Sequence, residues 1–428
     1  MICRVCSGNN LELFLDLGDQ PHCDSLLRPE DLSRPEPCYP LQACICRDCS
    51  TVQINYTVPK ETMFGEYLYV SGTTQTLRQH FQESTDRLVN RLGLKTGDLV
   101  VDIGSNDGTW LACYGKLGLR VLGVDGAQNL ATMANARGIE TWARFFNSEV
   151  ARDIIKTKGQ AKLVTAAGVF FHLEELHSVT AGIADLLDLH GVFCVQSIYL
   201  GAMLEQIQFD QFYHEHLTYW TVKSLDRLFA LHGLEIFHAH RLAIHGGSLE
   251  LLVARKGARA VDASVDQFRT EEKARGYDKI ETYRNFATKV WQIGDELKSI
   301  LQRYRAAGKR LQAFGAPAKG ATLLNSFKIS PEIIECAVEV NPLKIGKYIP
   351  GCRIPIVDEA KTEKPDAYLL LAWNFLREFL AKKKDYIEAG GEFILPIPRP
   401  IVINKANYRH FADGGELPGS GSEGAISQ

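Results

Sequence analysis

The sequence has no apolar run long enough to cross a membrane and no clear excess of either charge. Of its 428 residues, 48 are Lys or Arg and 51 are Asp or Glu, giving a net charge of −3. Nucleic-acid-binding proteins usually carry a basic surface, so this balance predicts no nucleic-acid partner. A membrane span needs about 20 apolar residues, so no membrane partner is expected. The N-terminal residues Met1–Cys6 do not form a signal peptide, and we expect a cytoplasmic protein.

The eleven cysteines are unevenly placed, because seven of them lie within the first 49 residues. Disulfides are rare in the cytoplasm, so this clustering indicates a metal site. Two Cys-x-x-Cys pairs, Cys3 with Cys6 and Cys46 with Cys49, have the layout of a tetrahedral zinc site. Cys44 is an alternative to Cys46, but only Cys46 completes a Cys-x-x-Cys pair. The 39 residues between the two pairs are predicted to form a hairpin.

The segment Val100–Thr109 is an apolar strand that leads into an acidic residue and a glycine-rich turn. Backbone N–H groups in such a turn approach a charged ligand closely. About twenty residues later a second strand ends at Asp125, where a carboxylate binds ribose hydroxyls. The spacing differs from the G-x-G-x-x-G of nicotinamide sites. It is closer to the S-adenosylmethionine (SAM) site of class I methyltransferases, with S-adenosylhomocysteine (SAH) as the product.

Strands and helices alternate between about residues 75 and 256, which predicts a doubly wound parallel sheet. The predicted helices are Gln75–Leu92, Glu174–Leu189 and Ser224–Leu231. The predicted parallel strands are Leu99–Ile103, Arg120–Val124, Ala161–Val169 and Gly191–Ser197. Two later strands, Glu235–Arg241 and Ser248–Ala254, are expected to form an antiparallel pair.

A second α/β pattern begins at Arg310–Phe314, after a stretch that includes a predicted helix at Lys279–Ala307. We therefore expect an α/β fold with a zinc-binding module, a class I SAM methyltransferase domain of Rossmann-like fold and a second Rossmann-like domain. The predicted boundaries are 1–66 for the zinc module, 67–258 for the methyltransferase domain, 259–307 for a helical linker, 308–411 for the C-terminal domain and 412–428 for a disordered tail.

The densest polar cluster of the sequence lies within Phe209–Trp220 and contains Tyr213, Glu215 and His216. It follows a predicted strand at the carboxyl edge of the sheet, where α/β proteins bind ligands. A His or Tyr at this edge serves as a general base or orients a substrate oxygen. The His-Glu-His spacing differs from that of zinc proteases, so metal binding is not indicated. His172 follows the third apolar segment and would face the same cleft.

A turn of small residues, Gly315–Thr322, links a strand to a helix in the second α/β unit. The helix N-terminus and Lys319 favour a pyrophosphate ligand, although the residue order is not that of a Walker A motif. Trp373 and Asn374 follow a later strand and are predicted to reach the same ligand. The His245–Ser248 segment contains two glycines, which permit close approach of its backbone to a ligand.

In combination, these motifs resemble the sugar C-3′-methyltransferases. The resemblance rests on the four cysteines, the SAM turn, Tyr-x-Glu-His, His-Gly-Gly-Ser and Gly-Ala-Pro-Ala-Lys-Gly, and it covers nearly the whole chain from Cys3 to about Asn407. It implies SAM-dependent methylation at C-3′ of a 4-keto-6-deoxyhexose linked to dTDP or GDP. It also implies a structural Zn²⁺ bound by the four cysteines.

The resemblance implies a role for individual residues. His216 would remove the proton beside the ketone to give an enolate, and Tyr213 and Glu215 would line the sugar and orient that base. His172 would stabilise the charge on the 4-keto oxygen. Asp102, Gly104, Asn106, Gly108 and Asp125 match the family's SAM site. We also expect Tyr67, Tyr69, Ser105, Gly126 and Gly168 to contact SAM. The nucleotide sugar would bind to His245, Gly315, Ala316, Pro317, Lys319, Gly320, Thr322, Trp373 and Asn374.

The sequence departs from the family pattern at Ala166–Gly168, where Asn residues are usual, and at Ala321, where a polar residue is usual. Three alternatives stay open: an O-methyltransferase for a sugar or another metabolite, a zinc-ribbon protein or methyltransferase that binds nucleic acid, and a non-catalytic SAM sensor. The N-terminal module lacks a Lys/Arg cluster, which argues against the second alternative. Tyr67 and Tyr69 would form a lid over SAM or pack the domain seam. A monomer is expected, since three domains already enclose the cleft.

Overall fold

The computed structural model describes residues 2–64, 67 and 69–415. These residues form three β-sheets of four, seven and six strands. No helix in this part of the chain is long and apolar enough to span a lipid bilayer. Residues 416–428, which make up most of the predicted disordered tail, lie outside the described residues.

The zinc module is built on the predicted hairpin, which consists of β1 (Leu11–Pro21) and β2 (Cys38–Cys46) in antiparallel pairing. A third strand, β3 (Val52–Ile54), pairs with β2, and a short helix, α1 (Lys60–Phe64), follows. The fourth strand of this sheet, Thr218–Tyr219, comes from the central domain and pairs with β3. The strand begins two residues after His216, so the zinc module shares its sheet with the predicted catalytic segment.

The central domain contains eight strands, one of them the strand shared with the zinc module, and seven helices. The strands are β4 (Leu99–Ile103), β5 (Arg120–Asp125), β6 (Thr141–Ala143), β7 (Ala161–Ala167), β8 (Leu187–Ile198), β9 (Thr218–Tyr219), β10 (Leu234–Leu242) and β11 (Ser248–Arg255). The helices are α2 (Gln75–Leu92), α3 (Thr109–Gly115), α4 (Gln128–Ala136), α5 (Ser148–Lys158), α6 (Leu176–Leu186), α7 (Leu200–Glu205) and α8 (Val222–Ala230).

The seven-stranded sheet has the order β10-β11-β8-β7-β4-β5-β6. Strands β4 to β8 are parallel, and β10 and β11 form the predicted antiparallel pair at one edge. The chain passes from β4 to β5 and β6 on one side, and then returns to β7 and β8 on the other. This reversal creates a switch point beside β4, where open α/β sheets bind their ligands.

The predicted helix Glu174–Leu189 is too long at its C-terminal end. The helix α6 ends at Leu186, and Leu187 already pairs with Ala161 as the first residue of β8. The Leu187 side chain is buried in the sheet. An apolar residue at this position fits the periodicity of a helix as well as that of a strand. Leu187 is in the strand because its pairing with Ala161 buries its side chain in the sheet.

Two helices, α9 (Ala263–Ala274) and α10 (Ile280–Ala306), link the central and C-terminal domains. The C-terminal sheet has the order β14-β13-β12-β15-β16-β17 and is parallel except for β17. Its strands are β12 (Leu311–Phe314), β13 (Ala337–Glu339), β14 (Ile356–Asp358), β15 (Ala367–Leu370), β16 (Glu392–Leu395) and β17 (Ile401–Ile403). Its helices are α11 (Ala318–Ser326), α12 (Leu376–Lys382), α13 (Lys384–Glu388) and α14 (Tyr408–Ala412).

The turn that we predict at Gly315–Thr322 is shorter than expected, because the helix α11 already begins at Ala318. Pro317 precedes it in an extended conformation, with φ at −75°, and proline favours such a position at a helix start. Lys319 therefore lies in the first helical turn rather than in a loop. The N-terminus of α11 therefore forms part of the wall of the cavity.

Candidate active site

A cavity of about 610 Å³ lies at the carboxyl ends of β4, β5 and β7, beside the switch point of the central sheet. Its walls come from the central and C-terminal domains and from α1 of the zinc module. The predicted site residues that line it are Tyr67, Tyr69, Gly104, Asn106, Asp125, Gly126, Gly168, His172, Tyr213, His216, His245, Pro317, Lys319 and Asn374. The predicted residues outside this lining are Asp102, Ser105, Gly108, Glu215, Gly315, Ala316, Gly320, Thr322 and Trp373.

The turn after β4 is tied to the end of β5 by the Asp125 carboxylate. This carboxylate accepts hydrogen bonds from the backbone N–H groups of Asn106 and Ala127, each at 2.8 Å. Gly104 has a φ of 67°, and a Cβ atom there would lie 2.7 Å from the side chain of Val169. The turn therefore needs glycine both for its backbone and for space. The acidic strand end and the glycine turn suit the ribose and the charged tail of SAM.

The segment around Tyr69 covers one wall of this cofactor site. The side-chain amide of Asn106 donates to the backbone oxygen of Tyr69 at 3.0 Å and accepts from the backbone N–H of Ser71 at 2.9 Å. The Tyr67 hydroxyl donates to Oε2 of Glu215 at 3.1 Å. This stretch of chain therefore connects the cofactor turn to the predicted catalytic segment.

Asp102 lies inside the sheet rather than at the cavity. Its carboxyl accepts a hydrogen bond of 2.6 Å from the Thr165 hydroxyl on the neighbouring strand β7. Burial raises the pKa of Asp102 to about 7. Gly108, with φ at 74°, is the residue before α3. Asp102 and Gly108 therefore flank the turn and do not line the cavity.

The backbone determines the tautomer of His216. Its Nδ1 atom lies 2.9 Å from the backbone carbonyl oxygen of Gln211, which can only accept a hydrogen bond. Nδ1 therefore carries the proton, and Nε2 presents a lone pair. Burial, with the neighbouring ring of His172, holds the pKa of His216 well below its usual range. The imidazole is thus neutral near pH 7, and the Tyr213 ring lies against it at a centroid distance of 3.8 Å.

His172 has the same arrangement. Its Nδ1 atom donates to the backbone carbonyl oxygen of Glu215 at 2.7 Å, and burial lowers the pKa of His172 to about 4. The rings of His172 and His216 are 5.0 Å apart. A neutral His172 therefore has no proton on Nε2, and it can accept but not donate a hydrogen bond there.

The Glu215 carboxylate is buried behind these two imidazoles. Its Oε1 atom lies 3.1 Å from Nε2 of His22, which belongs to the zinc module. Burial raises the pKa of Glu215 to about 7. Sequence reasoning missed His22, since its position directly after a hairpin strand carries no signal that it contacts a residue so distant in the chain.

Lys319 projects into the cavity from the first turn of α11. Its ammonium group donates to Oδ1 of Asn374 at 2.6 Å and lies 3.7 Å above the ring of Trp373. The indole N–H of Trp373 donates to Oδ2 of Asp210 at 2.7 Å, and this hydrogen bond fixes the ring that Lys319 contacts. Burial lowers the pKa of Lys319 to about 8. Asp210, which sequence reasoning also missed, attracts this cation.

The four predicted zinc ligands form one group in which all sulfur atoms lie within 4.8 Å of one another. The sulfur atoms of Cys3 and Cys49 are 3.5 Å apart, and those of Cys6 and Cys46 are 3.6 Å apart. Thiolates at about 2.3 Å from a tetrahedral zinc are about 3.8 Å from one another, so the group suits zinc. Cys46, and not Cys44, belongs to it.

Three family models match successive parts of the chain: a zinc-binding domain at residues 3–64, a methyltransferase domain at 77–239 and a C-methyltransferase C-terminal domain at 243–398. The chain is also 37% identical to C-methyltransferase NovU of Streptomyces niveus over 405 residues. This alignment covers 94% of this chain and 96% of that protein. The chain belongs to the C-methyltransferases. As a member of this family, it is a SAM-dependent enzyme with a zinc-binding module.

Two solved structures are similar to part of this C-methyltransferase. Magnesium protoporphyrin IX methyltransferase of Synechocystis PCC 6803 with bound SAM is 15% identical, with a TM-score of 0.33 over 46% of this chain and 89% of that chain. A SAM-dependent methyltransferase of Archaeoglobus fulgidus is 13% identical, with a TM-score of 0.34. The match covers 42% of this chain and 94% of that chain. The predicted family, the α/β fold class, and the cofactors SAM and zinc are confirmed.

Proposed function

We propose that this enzyme transfers the methyl group of SAM to C-3′ of a 4-keto-6-deoxyhexose linked to dTDP or GDP. The main support is the composition of the cavity. The glycine turn, Asp125, Lys319 and the neutral rings of His172 and His216 all line it. A cofactor, a base and an anion site within one enclosure suit a bridging substrate of this kind.

His216 is the proposed base. A C–H bond beside a ketone is acidic enough for a positioned imidazole to break, and Nε2 of His216 accepts this proton. The electron pair of that bond moves into an enolate, and the enolate carbon forms the new C–C bond. Bound SAM supplies the electrophilic methyl group and leaves as SAH. The low pKa of His216 makes it a weak base in the free enzyme, but negative charge developing on the substrate raises that pKa as the proton moves.

Tyr213 is the proposed donor to the 4-keto oxygen. Burial raises the pKa of its phenol well above 10, so the hydroxyl keeps its proton at neutral pH. A donor that is already in place where charge develops is usually the largest contribution to catalysis. The oxygen-stabilising role expected of His172 would require an imidazolium, which its lowered pKa disfavours. We therefore assign that role to Tyr213, and His172 supports the base.

Lys319 and the N-terminus of α11 are proposed to bind the pyrophosphate of the carrier. The buried ammonium group contacts Asn374 and the Trp373 ring and is attracted by the Asp210 carboxylate. A phosphate oxygen gains a charge-assisted hydrogen bond from Lys319 and helix-dipole stabilisation from α11. In the proposed arrangement, the sugar lies between the pyrophosphate and the two histidines.

Calorimetric titration with SAH, TDP and GDP tests the two-ligand site. Binding of SAH and of one nucleotide is expected, and it identifies the carrier. Binding of SAH with no response to either nucleotide would contradict the nucleotide-sugar substrate. With the matching 4-keto sugar and SAH, proton exchange at C-3′ with deuterated water, measured by NMR, separates C-methylation from O-methylation. Exchange is expected for the wild-type enzyme and not for His216→Ala.

A further inference from the structure

The zinc module sends one side chain into the region behind the proposed catalytic histidines. His22 follows β1 directly, and its Nε2 atom lies 3.1 Å from Oε1 of Glu215. Both residues are buried, with exposed fractions of 7% and 1%. Neither of these two atoms makes a hydrogen bond within the described chain, so their 3.1 Å approach is an electrostatic contact. This contact offsets part of the cost of burying the two side chains, together with the Tyr67 hydroxyl at Oε2 of Glu215 and the Ser25 hydroxyl at Nδ1 of His22.

The surroundings of Glu215 disfavour its charged form unless a cation is present. Besides His22, the titratable groups that face it are the carboxylate of Asp24, the phenols of Tyr67 and Tyr213, and the buried thiol of Cys23. Burial and Asp24 raise the pKa of Glu215, while His22 lowers it. His22 is thus the group that favours an ionised Glu215 near neutral pH.

The position of Glu215 affects both imidazoles of the proposed site. Its backbone oxygen accepts the Nδ1 proton of His172, and the next residue in the chain is His216. The ring of His22 is itself held by the Ser25 hydroxyl, which lies 3.1 Å from Nδ1. A chain of contacts therefore runs from the zinc-module hairpin through Glu215 to the cavity.

We infer that His22 is a positioning residue through which the zinc-binding module holds the Glu215 carboxylate and, with it, the catalytic histidine pair. This inference rests on the proposed function insofar as His172 and His216 act on the substrate. It assigns the module a part in the geometry of the active site, in addition to its own folding around zinc.

A second metal ion is the competing interpretation, because His22, Cys23 and Glu215 offer three donor atoms within 4.8 Å of one another. Structural zinc sites use four protein ligands, one more than this group offers. The donor atoms of His22 and Glu215 are also already in contact with each other. These observations favour the ion pair, and metal content separates the two interpretations.

NMR titration of the full-length protein with ¹⁵N-labelled histidine tests the contact without any substrate. The contact with Glu215 raises the pKa of His22 despite burial. In Glu215→Gln we expect His22 to titrate at least about one pH unit lower than in the wild-type protein, the usual minimum for a close opposite charge. An unchanged His22 titration would overturn the inference. The wild-type protein should hold one zinc ion per chain. A second metal ion in the wild-type protein, absent from His22→Ala, would also overturn the inference.

Steady-state kinetics with the methyl acceptor test the positioning role. We expect His22→Ala to lower kcat at least tenfold, leave KM for SAM within twofold, and move the acidic limb of the kcat profile to higher pH. His22→Gln, which retains a donor, should recover part of kcat. The control is Gln20→Ala, on the strand β1 that precedes His22. The Gln20 side chain donates hydrogen bonds to Leu17 and Ser326 and does not contact Glu215.

The control variant should be less stable to heat yet keep the wild-type pH profile. A His22→Ala enzyme with wild-type kcat and pH profile would overturn the inference. If neither the wild-type enzyme nor any variant methylated a nucleotide sugar, the proposed function would fail, while the NMR titration would still decide whether the His22–Glu215 contact exists.

Discussion

The Nδ1 atom of His216 lies 2.9 Å from the backbone carbonyl oxygen of Gln211. The main chain, which does not titrate, therefore determines which nitrogen of the imidazole faces the cavity without a proton. A base held in this way is ready at any pH above its own pKa. Its alignment depends on the conformation of the short segment between the two residues.

Replacing His216 by alanine should lower turnover by at least roughly two orders of magnitude, because general-base catalysis contributes about 10²- to 10⁴-fold. SAH should still bind with wild-type affinity, since the glycine turn and Asp125 are unchanged. Rapid-quench turnover and calorimetry provide the two measurements. His177→Ala is a suitable control, as His177 pairs with His232 away from the cavity lining and should keep full activity. Substantial turnover by His216→Ala would refute the assignment.

Replacing Cys49 by serine should abolish zinc binding and lower the thermal stability of the chain. The sulfur atom of Cys49 lies 3.5 Å from that of Cys3, and structural zinc sites contribute directly to folding free energy. Elemental analysis should give one zinc per wild-type chain and none per variant chain. Cys38→Ser, an exposed cysteine outside the group, should retain the metal. A metal content unaffected by Cys49→Ser would exclude this ligand set.

Replacing Lys319 by alanine should weaken binding of the preferred nucleotide at least tenfold. Hydrogen bonds to charged groups contribute about 1.5–3 kcal/mol, which corresponds to a factor of ten or more in Kd. SAH affinity should not change, because the cofactor turn is in another domain. Lys309→Ala, which removes a lysine side chain that is 44% exposed, serves as the matched control and should bind both ligands normally. Equal nucleotide affinity in wild type and Lys319→Ala would contradict a pyrophosphate site here.

Nucleotide affinity should also fall as the pH rises through about 8. Burial lowers the pKa of Lys319 to about 8, so the ammonium form that attracts phosphate is fully present only below that value. Bound phosphate raises this pKa, and mass action therefore makes binding weaker as the proton is lost. Calorimetry between about pH 6.5 and 9.5 measures the effect. Lys319→Arg stays charged throughout this range and should show a flat profile.

Replacing Gly104 by alanine should reduce both stability and SAH affinity. A left-handed backbone costs about 1–2 kcal/mol for a residue with a Cβ atom, and here that atom would also lie 2.7 Å from Val169. Gly97→Ala is a matched control, because Gly97 has a φ of 89° but no heavy atom within 4 Å of the added Cβ. The control should lose stability alone. Normal SAH binding by Gly104→Ala would show that the turn tolerates displacement.

The regular parts of the fold are predictable because their sequence patterns are long and uninterrupted. The helix Gln75–Leu92 and the strand Leu99–Ile103 have the bounds that their apolar periodicity predicts. The edge strands β6 and β14 were not predicted, since each has three residues and exists through pairing with a neighbour. Such strands are determined by tertiary contacts, which a local pattern does not contain.

The site is predictable to the extent that its chemistry lies in short motifs. His216 and Lys319 belong to such motifs, and both line the cavity. Asp102 shares a motif with Gly104, but Asp102 still belongs to β4, whereas Gly104 lies in the turn that follows. The Asp102 carboxyl accepts a hydrogen bond from Thr165 inside the sheet. His22 escaped prediction because its partner is 193 positions away in the chain, and only the assembled sheets bring the two together.

The pairing of β3 with β9 has a consequence for the engineering of hybrid enzymes. A strand that belongs to one domain by sequence completes the sheet of another, so the boundary along the chain is not a boundary in hydrogen bonding. Grafting the N-terminal module of a relative onto this catalytic core would replace the neighbour of the Thr218–Tyr219 strand. A working graft must therefore bring the donor's counterpart of that strand with it, as a separate, second insertion some 150 residues downstream.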